Sequence, residues 1–108
     1  MIYVSNAFSL SMILPPCSIK VEQVDLERVK KFFDEPFQSA VGHVSTAEIL
    51  SKLTGTLVPV NRVSLSLIKG DRLVVFQLLQ RLEEGKILTK QELAQLPYKF
   101  LLVTVEEA

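Results

Sequence analysis

The sequence predicts one α/β (α+β) domain, a mixed sheet of about five strands flanked by about three helices. Three observations lead there. The 108 residues are 48% apolar and 22% charged, a globular composition in a chain long enough to bury about two-thirds of its unfolded surface around one core. Segments of strand-like alternation interleave with segments of helical spacing. The five prolines and four glycines are scattered as punctuation, without a linker, repeat or low-complexity tract, so residues 1–108 read as a single unit.

Ile2–Ser5 reads as a strand that starts almost at the first residue, and Pro15-Pro16 closes the segment after it. Ser18–Val24, with Ile19 and Val21 separated by Lys20, is a second strand. Asp25 is placed to cap a helix over about residues 26–34, whose Leu26, Val29, Phe32 and Phe33 share one face before Pro36 ends it. Ser45-Thr46-Ala47-Glu48 fits a capping box, with Ile49, Leu50 and Leu53 as the buried face and Gly55 as the left-handed residue that closes the helix. Arg62–Ile68 alternates, Lys69-Gly70-Asp71 is a turn, and Leu73–Leu79 is apolar enough for a central strand covered on both faces, so the two are expected to form a hairpin. Arg81–Lys86 is a charged loop; Thr89 and Glu92 form a further capping box for a helix stopped by Pro97; Tyr98–Val105 is the last strand.

Twelve Lys+Arg balance twelve Asp+Glu. A zero net charge excludes a general electrostatic grip on duplex DNA or an anionic membrane, and leaves room for a small anion held by a few placed cations. The lone cysteine, Cys17, cannot form an intrachain disulfide and is assigned to packing; with one histidine and no Cys/His cluster there is no structural zinc motif. The early apolar stretch Ala7–Leu14 is short, carries two serines and has no basic leader, so neither a membrane span nor a signal peptide is expected and the chain reads as soluble and intracellular.

The chemistry-bearing residues fall in four places. His43, in Val41-Gly42-His43-Val44-Ser45-Thr46, stands just before an expected helix N-terminus, where free N–H groups and the helix dipole attract phosphate. Taken alone, that fragment is also an ordinary loop histidine beside a capping box. Gln77-Leu78-Leu79-Gln80-Arg81-Leu82-Glu83-Glu84-Gly85-Lys86 lies where a strand gives way to a loop. There Arg81 offers a planar fork of donors to a phosphate and Glu84 a carboxylate to a hydroxyl, while Gln77 interrupts an apolar strand. A solvated charged turn fits the same run. Asn6 and Ser9 follow the first strand, and Asn61-Arg62 opens another; each is by itself a routine turn or edge residue. Phosphate-loop, dinucleotide and nucleophile-elbow motifs are absent.

In combination, Ser5-Asn6-Ala7-Phe8-Ser9, Gly42-His43-Val44-Ser45-Thr46, Asn61-Arg62-Val63 and Gln80-Arg81-Leu82-Glu83-Glu84-Gly85-Lys86-Ile87-Leu88 resemble the small viral and proviral ring nucleases that act as anti-CRISPR proteins against type III systems. The segments occur in that family's order over nearly the whole chain; residues 13–38 and the tail after residue 97 carry no matching motif. The resemblance implies a homodimer of mixed α/β subunits in the cytoplasm of a prokaryotic host, encoded by a virus or provirus. It would bind cyclic tetra-adenylate, the second messenger of type III CRISPR complexes, and cut it to linear di-adenylate without a metal or other cofactor.

The resemblance assigns roles residue by residue. His43 would protonate the departing ribose 5′ oxygen, Arg81 would stabilise the phosphorane-like transition state, and Glu84 would position or activate the 2′-hydroxyl. Asn6, Ser9, Ser45, Thr46, Arg62 and Gln77 would hold bases, sugars and phosphates; Val44 receives no role. RNA brings its own nucleophile, so a protein that aligns it and manages charge needs no metal cluster. A non-catalytic protein that sequesters the cyclic nucleotide, or a viral interaction protein with no nucleotide ligand, are the alternative classes.

Overall fold

The computed structural model describes residues 1–79 and 89–107. Five strands, β1 (Ile2–Ser5), β2 (Ser18–Val24), β3 (Phe37–Ser39), β4 (Arg72–Leu78) and β5 (Tyr98–Glu107), form one sheet in the order β2-β5-β4-β1-β3. β1 pairs in parallel with both β3 and β4, and β5 pairs antiparallel with β4 and β2. The expected mixed α+β architecture is therefore present. Among the described residues three α-helices, α1 (Leu26–Phe32), α2 (Val44–Thr54) and α3 (Lys90–Gln95), accompany the sheet, with one 3₁₀ turn at Leu10–Met12.

Local chemistry explains most boundaries. Asp25 caps α1, its Oδ1 accepting from the Arg28 backbone N–H at 2.9 Å. Arg28 also reaches Glu22 on β2 at 2.7 Å, and this hydrogen bond holds the Glu22 carboxyl below its ordinary value. α2 ends on Gly55 at φ 71°, where a left-handed residue is needed. Thr89 and Glu92 do form their capping box, the Glu92 N–H donating to Thr89 Oγ1 at 3.1 Å and the Thr89 N–H to Glu92 Oε1 at 3.3 Å. Gly70 at φ 91° makes the turn before β4, and the carboxylate of Asp71 accepts from the Ile68 N–H at 2.9 Å.

The sheet carries a core on each face. On one, Val4, Val74, Phe76, Phe100 and Leu102 pack against Val29 and Phe32 of α1 and Ala47, Ile49 and Leu50 of α2. On the other, Leu73, Val75, Val103 and Val105 are covered by Leu65, Leu67 and the half-buried Phe8, Met12 and Ile13. That second cover is non-strand chain with one short 3₁₀ turn, Leu10–Met12, and no α-helix among the described residues.

Two expectations are corrected here. Arg62–Ile68 is not a strand and forms no hairpin with β4: its strand-like pairing among the described residues is one isolated bridge between Leu67 and Ile13, and β4 already has β1 and β5 on its two edges. The alternation is nevertheless real, because Leu65 and Leu67 are buried and Ser64 and Ser66 exposed. Period two reports an extended chain lying on an apolar surface and does not by itself report hydrogen-bonded pairing. Conversely, β3 was not foreseen. Three residues behind Pro36 are too short to show a period.

Candidate functional site

β1, β3 and β4 run parallel, so their carboxyl ends lie at one edge of the sheet, where open α/β sheets place ligands. Asn6 follows β1, His43 follows β3 after Ala40-Val41-Gly42, and Gln77 lies near the end of β4. A cleft of about 590 Å³ opens there, with Asn6, Gly42, His43, Arg62, Val63 and Ser64 in its wall.

The chain leading to His43 is held from both sides. The Ala40 N–H donates to Val4 O at 2.7 Å, which extends the β1–β3 pairing. From the opposite side the Asn61 N–H donates to Val41 O and its Nδ2 to Ser39 O, both at 2.8 Å, while Ser39 Oγ donates to Pro59 O at 2.6 Å. Gly42 sits between two of the predicted ligand-holding residues. Its N–H donates to Asn6 Oδ1 at 3.4 Å, and its carbonyl accepts from Arg62 Nε at 2.8 Å. Arg62 thus uses one nitrogen to fix the loop and keeps its two terminal nitrogens free among the described residues.

His43 is the N-cap of α2, extended at φ −125° and ψ 132°, and its side chain makes no capping bond. The capping box expected at Ser45 is absent because helical backbone begins at Val44, which puts Ser45 and Glu48 inside the helix. An imidazole in place of a capping oxygen leaves first-turn N–H groups without a side-chain acceptor, the arrangement that attracts an anion. The imidazole itself is exposed at the cleft. Ser45 is half-buried, and Thr46 is buried on the core side of the helix.

Gln77 is exposed, which corrects the picture of β4 as a strand covered throughout on both faces. Among the described residues the cover on the second face stops short of it, and a groove of about 310 Å³ is walled by Asn6, Phe8, Val21, Gln77 and Leu101. Asn6 lines both hollows and joins them. Ser9 lines neither: its hydroxyl caps a short 3₁₀ turn, accepting from the Ser11 N–H at 3.3 Å. Arg81 and Glu84 lie outside the described residues. Asn6, His43 and Arg62 are therefore brought together directly, and Gln77 through the adjoining groove. Asn61 and Ser39, which secure the His43 loop, carried no assignment in the sequence reading; a polar pair there looks like ordinary turn chemistry until the fold shows what it ties.

A small mixed-sheet domain with a polar cleft at its parallel strand ends is the class that fold and site define. The chain belongs to the STIV B116-like family, whose model matches residues 2–100. It is 36% identical over 110 residues to uncharacterized protein 26 of Sulfolobus islandicus filamentous virus, covering 97% of this chain and 92% of that one. It is 34% identical over 102 residues to uncharacterized protein YddF of Bacillus subtilis, covering 91% and 94%. Among solved structures it is similar to B116 of Sulfolobus turreted icosahedral virus, with TM-score 0.85, 30% identity and coverage of 95% and 97%. No helix among the described residues is long and apolar enough to cross a membrane.

Proposed function

We propose that this protein is a metal-independent ring nuclease that cuts cyclic tetra-adenylate to linear di-adenylate and so quenches type III CRISPR signalling, acting as a homodimer in the cytoplasm of a prokaryotic host and encoded by a virus or provirus. One observation carries the reading: His43 stands exposed on a helix N-terminus that no side chain among the described residues caps, in one cleft with Asn6 and Arg62. A phosphodiester seated on those N–H groups has a proton donor beside it and a guanidinium at hand.

In the reaction, the ribose 2′ oxygen attacks the adjacent phosphorus, and the bond from phosphorus to the 5′ oxygen breaks. His43 gives its proton to the departing 5′ oxygen. The 2′-hydroxyl proton leaves to a base, the role proposed for Glu84, and Arg81 stabilises the charge on the phosphorane-like transition state. Asn6, Ser45, Arg62 and Gln77 complete the proposed ligand contacts; Ser9 and Thr46, which the resemblance also assigned, stand outside the cleft and on the core side of α2, respectively. A two-fold pair of subunits sets two His43 residues around one ring of four nucleotides, so that opposite phosphodiesters are cut and two di-adenylates leave.

The test is incubation of purified protein with cyclic tetra-adenylate in EDTA, with product analysis by chromatography. Linear di-adenylate is expected. An intact ring recovered after denaturing a stoichiometric mixture identifies a sequestering protein and overturns the nuclease reading.

A further inference from the structure

Resting on the reading of His43 as the acid of this cleft, we infer that Asn61 is its positioning residue, a side chain outside the cleft wall that fixes His43 and Arg62 relative to each other so that both meet one phosphodiester. β3 is the last strand of the sheet, with β1 on its inner side. Asn61 stands on its outer side, where a further strand would lie. Its backbone N–H donates to Val41 O and its Nδ2 to Ser39 O, each at 2.8 Å. Carbonyls two residues apart on an extended chain point the same way, and a neighbouring strand would meet them with the N–H groups of two residues. Asn61 meets both alone, one with its main chain and one with its amide.

The same residue sets Arg62. Asn61 O accepts from the Val63 N–H at 3.1 Å, which closes a three-residue turn with Arg62 at its centre. Arg62 Nε then donates to the carbonyl of Gly42, the residue before His43, at 2.8 Å. On the other side, His43 O accepts from the Ala47 N–H at 3.0 Å. The main chain of His43 is thus held by α2 after it and by Asn61 and Arg62 before it. Its imidazole makes no capping bond, so the direction of that imidazole follows from the main chain that carries it.

Proton transfer is sensitive to such placement: a group displaced by about 1 Å through a remote change can lose about 10²-fold in rate. Asn61 is not among the residues that wall the cleft, so it acts through His43 and not by contact with the nucleotide. Removing its amide leaves other ties in place. Ser39 Oγ still donates to Pro59 O at 2.6 Å and accepts from the Val41 N–H at 3.2 Å, and the Asn61 N–H still reaches Val41 O. Asn61→Ala is therefore expected to fold with the His43 loop displaced. Asn61→Asp keeps the size, removes the donor and sets a carboxylate oxygen against Ser39 O.

Single-turnover cutting of cyclic tetra-adenylate by the full chain tests this, beside thermal melting with and without the nucleotide to follow folding and binding. Asn61→Ala and Asn61→Asp are each expected to melt cooperatively, to keep most of the ligand-induced thermal rise, and to cut about 10²-fold more slowly than wild type. In a His43→Ala background, Asn61→Ala should slow cutting no further, because a residue that acts through His43 has nothing left to position. A loosened fold would slow cutting in both backgrounds. His43 is the one histidine of the chain, so it gives a single set of imidazole signals by NMR in the free protein, and these should move in both Asn61 variants. Asn61→Ala cutting as fast as wild type, a further loss in the His43→Ala background, His43 signals unmoved in both variants, or two variants that fail to fold would each overturn the inference. A wild type that leaves the nucleotide intact, with the His43 signals moved in both variants, removes the nuclease reading and keeps Asn61 as the holder of the His43 loop.

Discussion

At the scale of single residues, the proposal asks Arg62 for two jobs that no other side chain type can combine. Its Nε fixes the carbonyl of Gly42, and its remaining fork is available to a phosphate. Lysine would keep the charge, but as a single point donor it cannot do both. Arg62→Lys is therefore expected to weaken ring binding by about 1.5–3 kcal/mol, the range for a charged hydrogen bond, measured by isothermal titration. Wild-type affinity in that variant would remove Arg62 from the ligand contacts. His43 was legible at this scale because it is the lone histidine and sits in a run that resembles a known motif. Gln77 stood out as a polar break in an apolar strand, but its exposure was not legible, because it depends on where the second-face cover ends, and nothing near it in sequence records that.

Elements were legible where their signals are local. Asp25, Gly55, the turn at Gly70 and the Thr89–Glu92 box each act through neighbours within a few residues, and each does in the fold what its chemistry implied. Asp25→Ala is accordingly expected to destabilise the protein by about 1 kcal/mol, the usual value of an N-cap, read as a shifted denaturation midpoint. An unchanged midpoint would mean that the cap at 2.9 Å contributes nothing net. The failures at this scale have a common cause. Arg62–Ile68 has the pattern of a strand, but β4, the strand it was expected to join, already has β5 and β1 on its two sides. β3 has an edge, that of β1, but no pattern. Pairing is a tertiary event, and alternation reports only which side chains face apolar surface. The α2 start was misplaced for a related reason: Ser45 and Glu48 fit a capping box, yet the chain leaving β3 enters helical geometry a residue earlier, at Val44, and leaves His43 as the cap.

Across the whole molecule, function follows from which faces are covered. Helices α1 and α2 bury one face of the sheet, and extended chain buries part of the other. The carboxyl ends of three parallel strands open into a cleft that gathers residues as distant as Asn6, His43 and Arg62. The motif resemblance grouped these residues, but periodicity alone could not; the convergence comes from β1 pairing with β3 on one side and β4 on the other. The His43 assignment is tested most directly by comparing wild type with His43→Ala under single-turnover conditions, while following the ligand-induced rise in melting temperature. Loss of a general acid should slow cutting by about 10²–10⁴-fold, with the thermal rise on adding the cyclic nucleotide largely kept. A variant that releases di-adenylate as fast as wild type would contradict the account at its centre.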